Sequence, residues 1–259
     1  MKTAFSLVEL SIVLVILGLL TGGILTGQSL IRAAELRSIT TDFNRYSTAV
    51  YTFRDKYFAL PGDMTNATDF WGEAHATPTT CATTASTGTE TCNGNGDGDI
   101  KNEDSFAGSS EIYRFWQHLA NAGMIEGTYT GVNGPGLTYP FDSVPGENVP
   151  YSKVSNACFA AHGKYTDTIA GNHFNGDYDN RLIFGIDQTD NTCHGAVLTP
   201  AEQWGIDKKI DDGLPGQGRI MSREGSGASS CADSADPATA AYNLSLESIV
   251  CDIIGQPGW

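Results

Sequence analysis

FSLVELSIVLVILGLLTGGILTG, residues Phe5 to Gly27, is the stretch whose reading decides the fold. About 20 residues of helix at roughly 1.5 Å per residue cover the hydrocarbon of a bilayer, so this apolar run is long enough to cross one. Its single charge is Glu9. A carboxylate in a membrane helix costs about 2.5 to 3.5 kcal/mol at the bilayer centre, so its presence points to a partner. The lead before it, Met1-Lys2-Thr3-Ala4, is short and basic, and Lys2 holds that end on the cytoplasmic side. A cleaved secretory signal has a shorter apolar core with its cleavage site after it, and has no reason to keep an acid.

Working outward, Gly22, Gly23 and Gly27 soften the run without ending it, each costing about 1 kcal/mol against Ala in a helix. Beyond them Leu36, Ile39, Phe43, Tyr46, Val50, Phe53, Tyr57 and Leu60 recur at steps of three and four residues, one apolar stripe on a continuing helix. Arg32, Glu35, Arg37, Asp42, Arg45 and Arg54 lie off the stripe. The spacing therefore predicts a helix that leaves the membrane, becomes amphipathic and packs on a domain. A coiled coil is the alternative, but these aromatics are bulky for its seam. Pro61-Gly62-Asp63 stops the helix, because Pro disfavours helix at the residue before it and cannot continue one.

The chain has 259 residues and a formal net charge of −15, which argues against nucleic acid or an anionic membrane surface as the main partner. Its six cysteines, at 81, 92, 158, 193, 231 and 251, all follow the apolar run, as structural disulfides in an oxidising compartment would. Many pairings are open to six cysteines. The expected one joins chain neighbours: Cys81 to Cys92, Cys158 to Cys193, Cys231 to Cys251. A zinc site of Cys158, His162, Cys193 and His194 is the rival reading, although no C-x-x-C occurs.

Residues 93–104, NGNGDGDIKNED, fit the spacing of a calcium loop. Side-chain oxygens come from Asn93, Asn95 and Asp97, a turn glycine stands at Gly98, a backbone carbonyl comes from Asp99, and a carboxylate closes the loop at Asp104. Ca2+ is the expected cofactor. Asn93 in place of Asp, and Asp104 in place of Glu, lower the charge and reach of the set, and a solvated Asn/Gly/Asp turn is the plainer alternative. Ser109 or Ser110 then caps a predicted helix, EIYRFWQHLANAGMI, with Ile112, Phe115, Trp116, Leu119 and Ala120 on one side and Gly123 as its stop. His118 on that helix reads as a hydrogen-bonded histidine rather than a ligand. From Gly127 to Tyr151 an extended connector is expected. Strands are expected at Arg181–Ile186, Gly195–Leu198 and, more weakly, Arg219–Ser222. Thr199-Pro200-Ala201-Glu202 is a capping box opening a helix, and Asp207, Asp211 and Asp212 at its far end offer a second cation site or a solvated end.

Ala4-Phe5-Ser6-Leu7-Val8-Glu9-Leu10 resembles the prepilin-peptidase site of type IV pilins and type II secretion pseudopilins. That site has a short charged leader, a small residue before the cut, Phe after it, and Glu as the fifth residue from the cut. The family usually has Gly where this chain has Ala4. The resemblance implies cleavage between Ala4 and Phe5, N-methylation of Phe5 and a subunit-docking role for Glu9. In a helical stack, Glu9 of one copy then neutralises the new amino terminus of a neighbour in a low-dielectric core. Three later blocks, FRDKYFALPGDMTNATDFWG, NGNGDGDI and FWQHLANAGMI, resemble a subgroup of bacterial prepilin-like proteins with a long insert after the first helix.

The expected fold is α+β and type IV pilin-like: a leader (1–4), a membrane and filament-core helix (5–27), its amphipathic half (28–60) and an exported domain (61–259). That domain divides into a loop-rich insert (61–150) and an antiparallel sheet with a disulfide-rich end (151–259). No G-x-S-x-G, P-loop or H-E-x-x-H occurs, so no enzyme is expected. The expected function is a filament subunit of a type IV pilus or type II secretion apparatus, inserted once in the inner membrane before assembly into a periplasmic or extracellular filament. Its expected partners are prepilin peptidase and related subunits. A minor or tip protein for adhesion or ligand binding is the alternative.

Overall fold

In a computed structural model of the chain, the apolar run and the amphipathic stripe form one helix, α1, Leu7–Tyr57. The structure describes residues 7–101, 111–134, 142–154, 156–167, 173–188, 192–222 and 230–259. The bond between Ala4 and Phe5, the carboxylate of Asp104, and Ser109 and Ser110 lie outside them. The stripe does what its spacing implies. Ile39, Phe43, Tyr46, Val50 and Phe53 are buried, and Leu36, Tyr57 and Leu60 pack at the edge of the same core. The helix ends a turn before Pro61, where Phe58 takes a positive φ of 55° and donates its N–H to the Arg54 carbonyl.

After α1 come two single turns, α2 (Thr68–Trp71) and α3 (Pro78–Cys81), and then α4 (Glu111–Asn121). The sheet region follows: β1 (Ala157–His162), β2 (Tyr165–Asp167), β3 (Gly176–Tyr178), β4 (Arg181–Ile186), α5 (Pro200–Ile210), β5 (Ile220–Met221) and β6 (Ile253–Gly255). β1, β4, β6 and β5 make one antiparallel sheet in that order, with Phe159 opposite Phe184 and Ile183 opposite Ile254. β2 and β3 form a separate hairpin. α1 and α4 pack on this sheet through aromatic edges. The Tyr46 ring lies 5.0 Å from Trp116 and 5.1 Å from Phe159. Such edge-to-face pairs add about 0.5 to 1.5 kcal/mol beyond their buried area. α1 comes closest to β6 at Gly255, where an added Cβ would run into the Phe43 ring.

The insert is not a separate body, since Met64, Ala67, Ile100 and Ile112 share one core with α1 and β1. Buried polar groups on α4 hold it. Arg114 donates to the carbonyls of Cys81 and Thr84, and Gln117 Nε2 donates to Ser86 Oγ and the Glu90 carbonyl. Three disulfides, Cys81–Cys92, Cys158–Cys193 and Cys231–Cys251, join chain neighbours. Cys158 and Cys193 are therefore not thiolate ligands, which removes the Cys/His zinc site as first drawn.

α4 stops as expected, with Gly123 at φ 71°, and α5 opens with the Thr199/Glu202 capping box. Gly195–Leu198 is a correction. The segment makes only isolated bridges, Gly195 to Ile186 and Leu198 to Cys251, because the Cys193 bond and the α5 cap bend it off the sheet within four residues.

Candidate functional site

Two features carry the chemistry singled out in the sequence: the free half of α1 and the acidic loop beside its far end. From Leu7 to Ile31 the large apolar side chains of α1 are exposed, and the most apolar window of the helix has none of its residues buried. It is the one described helix long and apolar enough to cross a membrane. Glu9 sits in its first turn and is exposed.

The change from free to packed helix occurs at Arg32. Its Nε donates to Glu202 Oε1 at 2.6 Å and its Nη2 to Glu202 Oε2 at 2.8 Å and to the Val197 carbonyl at 3.1 Å. Glu202 is also the capping-box residue of α5, accepting from Thr199 N–H at 3.0 Å. One carboxylate thus caps α5 and ties it to α1. Burial works to raise the Glu202 pKa, but the bonds from Arg32 and Thr199 outweigh it and hold the carboxyl below its ordinary value. The capping box was legible in the sequence; the partner 170 residues away was not.

In the acidic loop the expected oxygens are engaged as follows. Asn93 Oδ1 accepts from Thr68 N–H at 2.9 Å, turned toward α2. Asn95 Oδ1 accepts from Asp97 N–H, and Asp97 Oδ1 from Asp99 N–H, each at 2.9 Å, so alternate side chains do wrap the turn. Asp99 contributes its carboxylate as well as its carbonyl: Oδ1 accepts from Lys164 N–H at 2.6 Å, while the carbonyl accepts from Lys101 N–H at 3.1 Å. Asp97 Oδ2 accepts from Asn95 Nδ2 at 3.2 Å, and it and Asp99 Oδ2 face a cation already. Lys101 Nζ lies 3.4 Å and 3.0 Å from them.

Two acids outside the motif complete the loop. Asp63 accepts from the N–H groups of Gly96, Asp97 and Gly98, at 2.6, 3.2 and 2.9 Å, so a carboxylate from outside the motif holds the turn. Glu111 accepts from Asn95 and Lys101 N–H groups at 3.0 and 3.1 Å. Burial, reinforced by the charges of Asp63 and Asp97, pushes its pKa up to about 7 despite those bonds. Neither acid stands in the motif, and only the fold brings them there. The donor types fit a hard cation. Among the described residues the loop's acids do not bring three carboxylate oxygens within 4.8 Å of one another, and the cation they face is the Lys101 ammonium.

Beside the loop lies an open cleft of about 1170 Å³, walled by Tyr51, Arg54, Phe58, Lys164, Asn180 and Trp259. Phe58 projects into solvent at its edge, 94% exposed. At the end of α5, Asp207, Asp211 and Asp212 place carboxylate oxygens within 4.8 Å of one another. Asp207 is fully buried and accepts from Tyr242 Oη at 2.8 Å and Gly213 N–H at 3.1 Å, and burial pushes its pKa up to about 7. Each acid of this trio is engaged by the protein: Asp211 accepts from Arg219 N–H and Asp212 from Leu214 N–H at 2.8 Å.

No protein-family model, no curated protein and no solved structure matches this chain.

Proposed function

We propose that the chain is a structural, non-enzymatic subunit of a helical filament of the type IV pilin and pseudopilin kind. The observation that carries this reading is the division of α1. Its C-terminal half is built into the domain, while residues 7–31 are apolar, unpacked and preceded by a prepilin-like cleavage site, with Glu9 in the first turn. An apolar helix without cover needs lipid or other copies of itself. Both fit one life history: the helix sits in the inner membrane with its N-terminus cytoplasmic, prepilin peptidase removes Met1 to Ala4, and the subunit moves into a periplasmic or extracellular filament. There Glu9 pairs with the Phe5 amino terminus of a neighbour.

Glu9→Ala tests this pairing. Glu9 is remote from the disulfide-bearing domain, so the variant should fold and insert normally. What it loses is a partner for a neighbouring ammonium, and leaving a buried charge unpaired costs several kcal/mol, or orders of magnitude in a subunit equilibrium. Membrane-bound monomer should accumulate and sheared filaments should lack the variant. Normal incorporation of Glu9→Ala, in cells without a wild-type copy, would refute the pairing.

The cleft beside Phe58 supports a second reading, an anchored adhesion or ligand-binding module at a filament tip. Stoichiometry separates the two: a main structural subunit dominates purified filaments, and a tip module is present in a few copies.

A further inference from the structure

Phe58 serves neither the packing nor the backbone of the fold. It follows α1 in the left-handed region, at φ 55°, and its N–H closes the helix on the Arg54 carbonyl at 2.8 Å. Glycine usually fills that capping position, and a bulky side chain there is strained. The Phe58 ring is 94% exposed and, among the described residues, meets no other ring or cation. A large apolar group that is both strained and uncovered lowers stability, and such features gather at binding sites.

The ring borders the open cleft of about 1170 Å³, whose polar groups are uncommitted. The side chains of Arg54, Asp55, Lys164 and Asp179 line it and make no hydrogen bond or ion pair among the described residues. Trp259, in the wall, has a buried indole Nε1–H that finds no acceptor among them. The wall itself is fixed: Tyr51 Oη donates to the carbonyls of Pro257 and Gly258, at 2.8 and 3.2 Å, which ties α1 to the segment after β6. A wall already in place reduces the ordering that binding requires.

The chemistry of these groups narrows the ligand. Two cations and two carboxylates balance, so an ion of either sign meets repulsion as well as attraction, and the net charge of −15 further disfavours an anion. A neutral molecule dense in hydroxyls uses all four, because a hydroxyl donates to a carboxylate and accepts from a guanidinium or ammonium. The negative face of an aromatic ring suits the C–H face of a sugar ring. The cleft also exceeds the roughly 300 to 1,000 Å³ of ordinary small-molecule sites, which leaves room for several linked rings. We propose that this cleft binds a neutral oligosaccharide, with Phe58 as the stacking platform and Arg54, Asp55, Lys164 and Asp179 as hydrogen-bonding partners. The inference rests on the reading of the chain as a ligand-binding module and names the class of its ligand.

The test uses the full chain in a detergent without a sugar headgroup, with binding read by calorimetry and by tryptophan fluorescence, to which Trp259 contributes. The probes are gluco-, chito- and xylo-hexaoses, with an oligogalacturonate of the same length as the anionic comparison. At least one neutral probe should bind saturably. Phe58→Gly should weaken that binding about tenfold. Its melting temperature should stay at or above the wild-type value, because glycine relieves the left-handed backbone. Asp179→Asn should weaken binding as well, and Phe70→Ala, at an exposed ring outside the cleft, should leave it unchanged. Saturable binding of none of the neutral probes overturns the proposal, as does binding that survives Phe58→Gly or is lost in Phe70→Ala. Preference for oligogalacturonate over every neutral probe, still dependent on Phe58, overturns the neutral class while the module reading stands, and filament stoichiometry judges that reading separately.

Discussion

His118 shows how much one buried side chain decides. It has no exposed surface, and its Nδ1 accepts from Gly62 N–H at 3.0 Å, which places its own proton on Nε2. Nε2 then donates to Thr91 Oγ1 at 2.9 Å, and that hydroxyl donates to Gln117 Oε1 at 2.7 Å. The relay joins the turn after α1 to the Cys81–Cys92 loop and to α4. A second ring proton would point at the Gly62 N–H. Burial, with the Arg114 charge, accordingly brings the His118 pKa down to about 3. The unfolded chain takes up a proton near pH 6.5, while the folded one does not until far lower. The contribution to stability is therefore full above about pH 6.5 and is lost as pH falls toward about 3. His118→Gln keeps an acceptor and a donor without a titrating ring, so its melting temperature should fall less between about pH 7.5 and pH 5 than that of the wild type. Equal falls would place the acid sensitivity elsewhere.

At the scale of elements, the seam between α1 and β6 and the acidic loop make separate predictions. Gly255→Ala puts a methyl group against the Phe43 ring, where the helix has no room to retreat without unseating Tyr46 and Phe159. Overpacking of this kind costs about 1 to 3 kcal/mol, and a denaturant midpoint that does not move would show that the seam is slack. For the loop, Ca2+ at a hundredfold excess over its Kd should stabilise the folded chain by about 2.7 kcal/mol, with the ion displacing Lys101. Chelation should then lower the melting temperature, and Asp97→Ala should remove the difference. If chelation has no effect, Lys101 is the only cation of the loop.

The elements also show what was legible in the sequence. The α1 stripe, α4 and its Gly123 stop, the α5 capping box and β4 could be read because local periodicity and end chemistry specify them. β1, ACFAAH, was missed because it has no β-branched residue and little alternation, its strand character coming from burial between β4 and α4. β6, three residues long, exists through its partners β4 and β5. Asp63 and Glu111 were missed as residues of the acidic loop for a related reason. Each becomes significant through a partner distant in the chain, which spacing does not encode.

The molecule as a whole divides its chemistry between two ends of one helix. At one end, aromatic packing fixes α1 in a domain braced by three disulfides and a relay of buried polar groups, with Arg32 and Glu202 closing the junction. At the other, Leu7 to Ile31 makes no such contacts and carries one acid. The central claim is that this free half is retained in the mature subunit and assembles through a new amino terminus. The intact mass of protein sheared from the cell surface, or recovered from the periplasm, tests it most directly. The prediction is a chain lacking only Met1 to Ala4, with one methyl group added at Phe5 and the hydrogens of three disulfides missing. A mature chain that still begins at Met1, or one cut after Gly27 so that the apolar helix is gone, would contradict it.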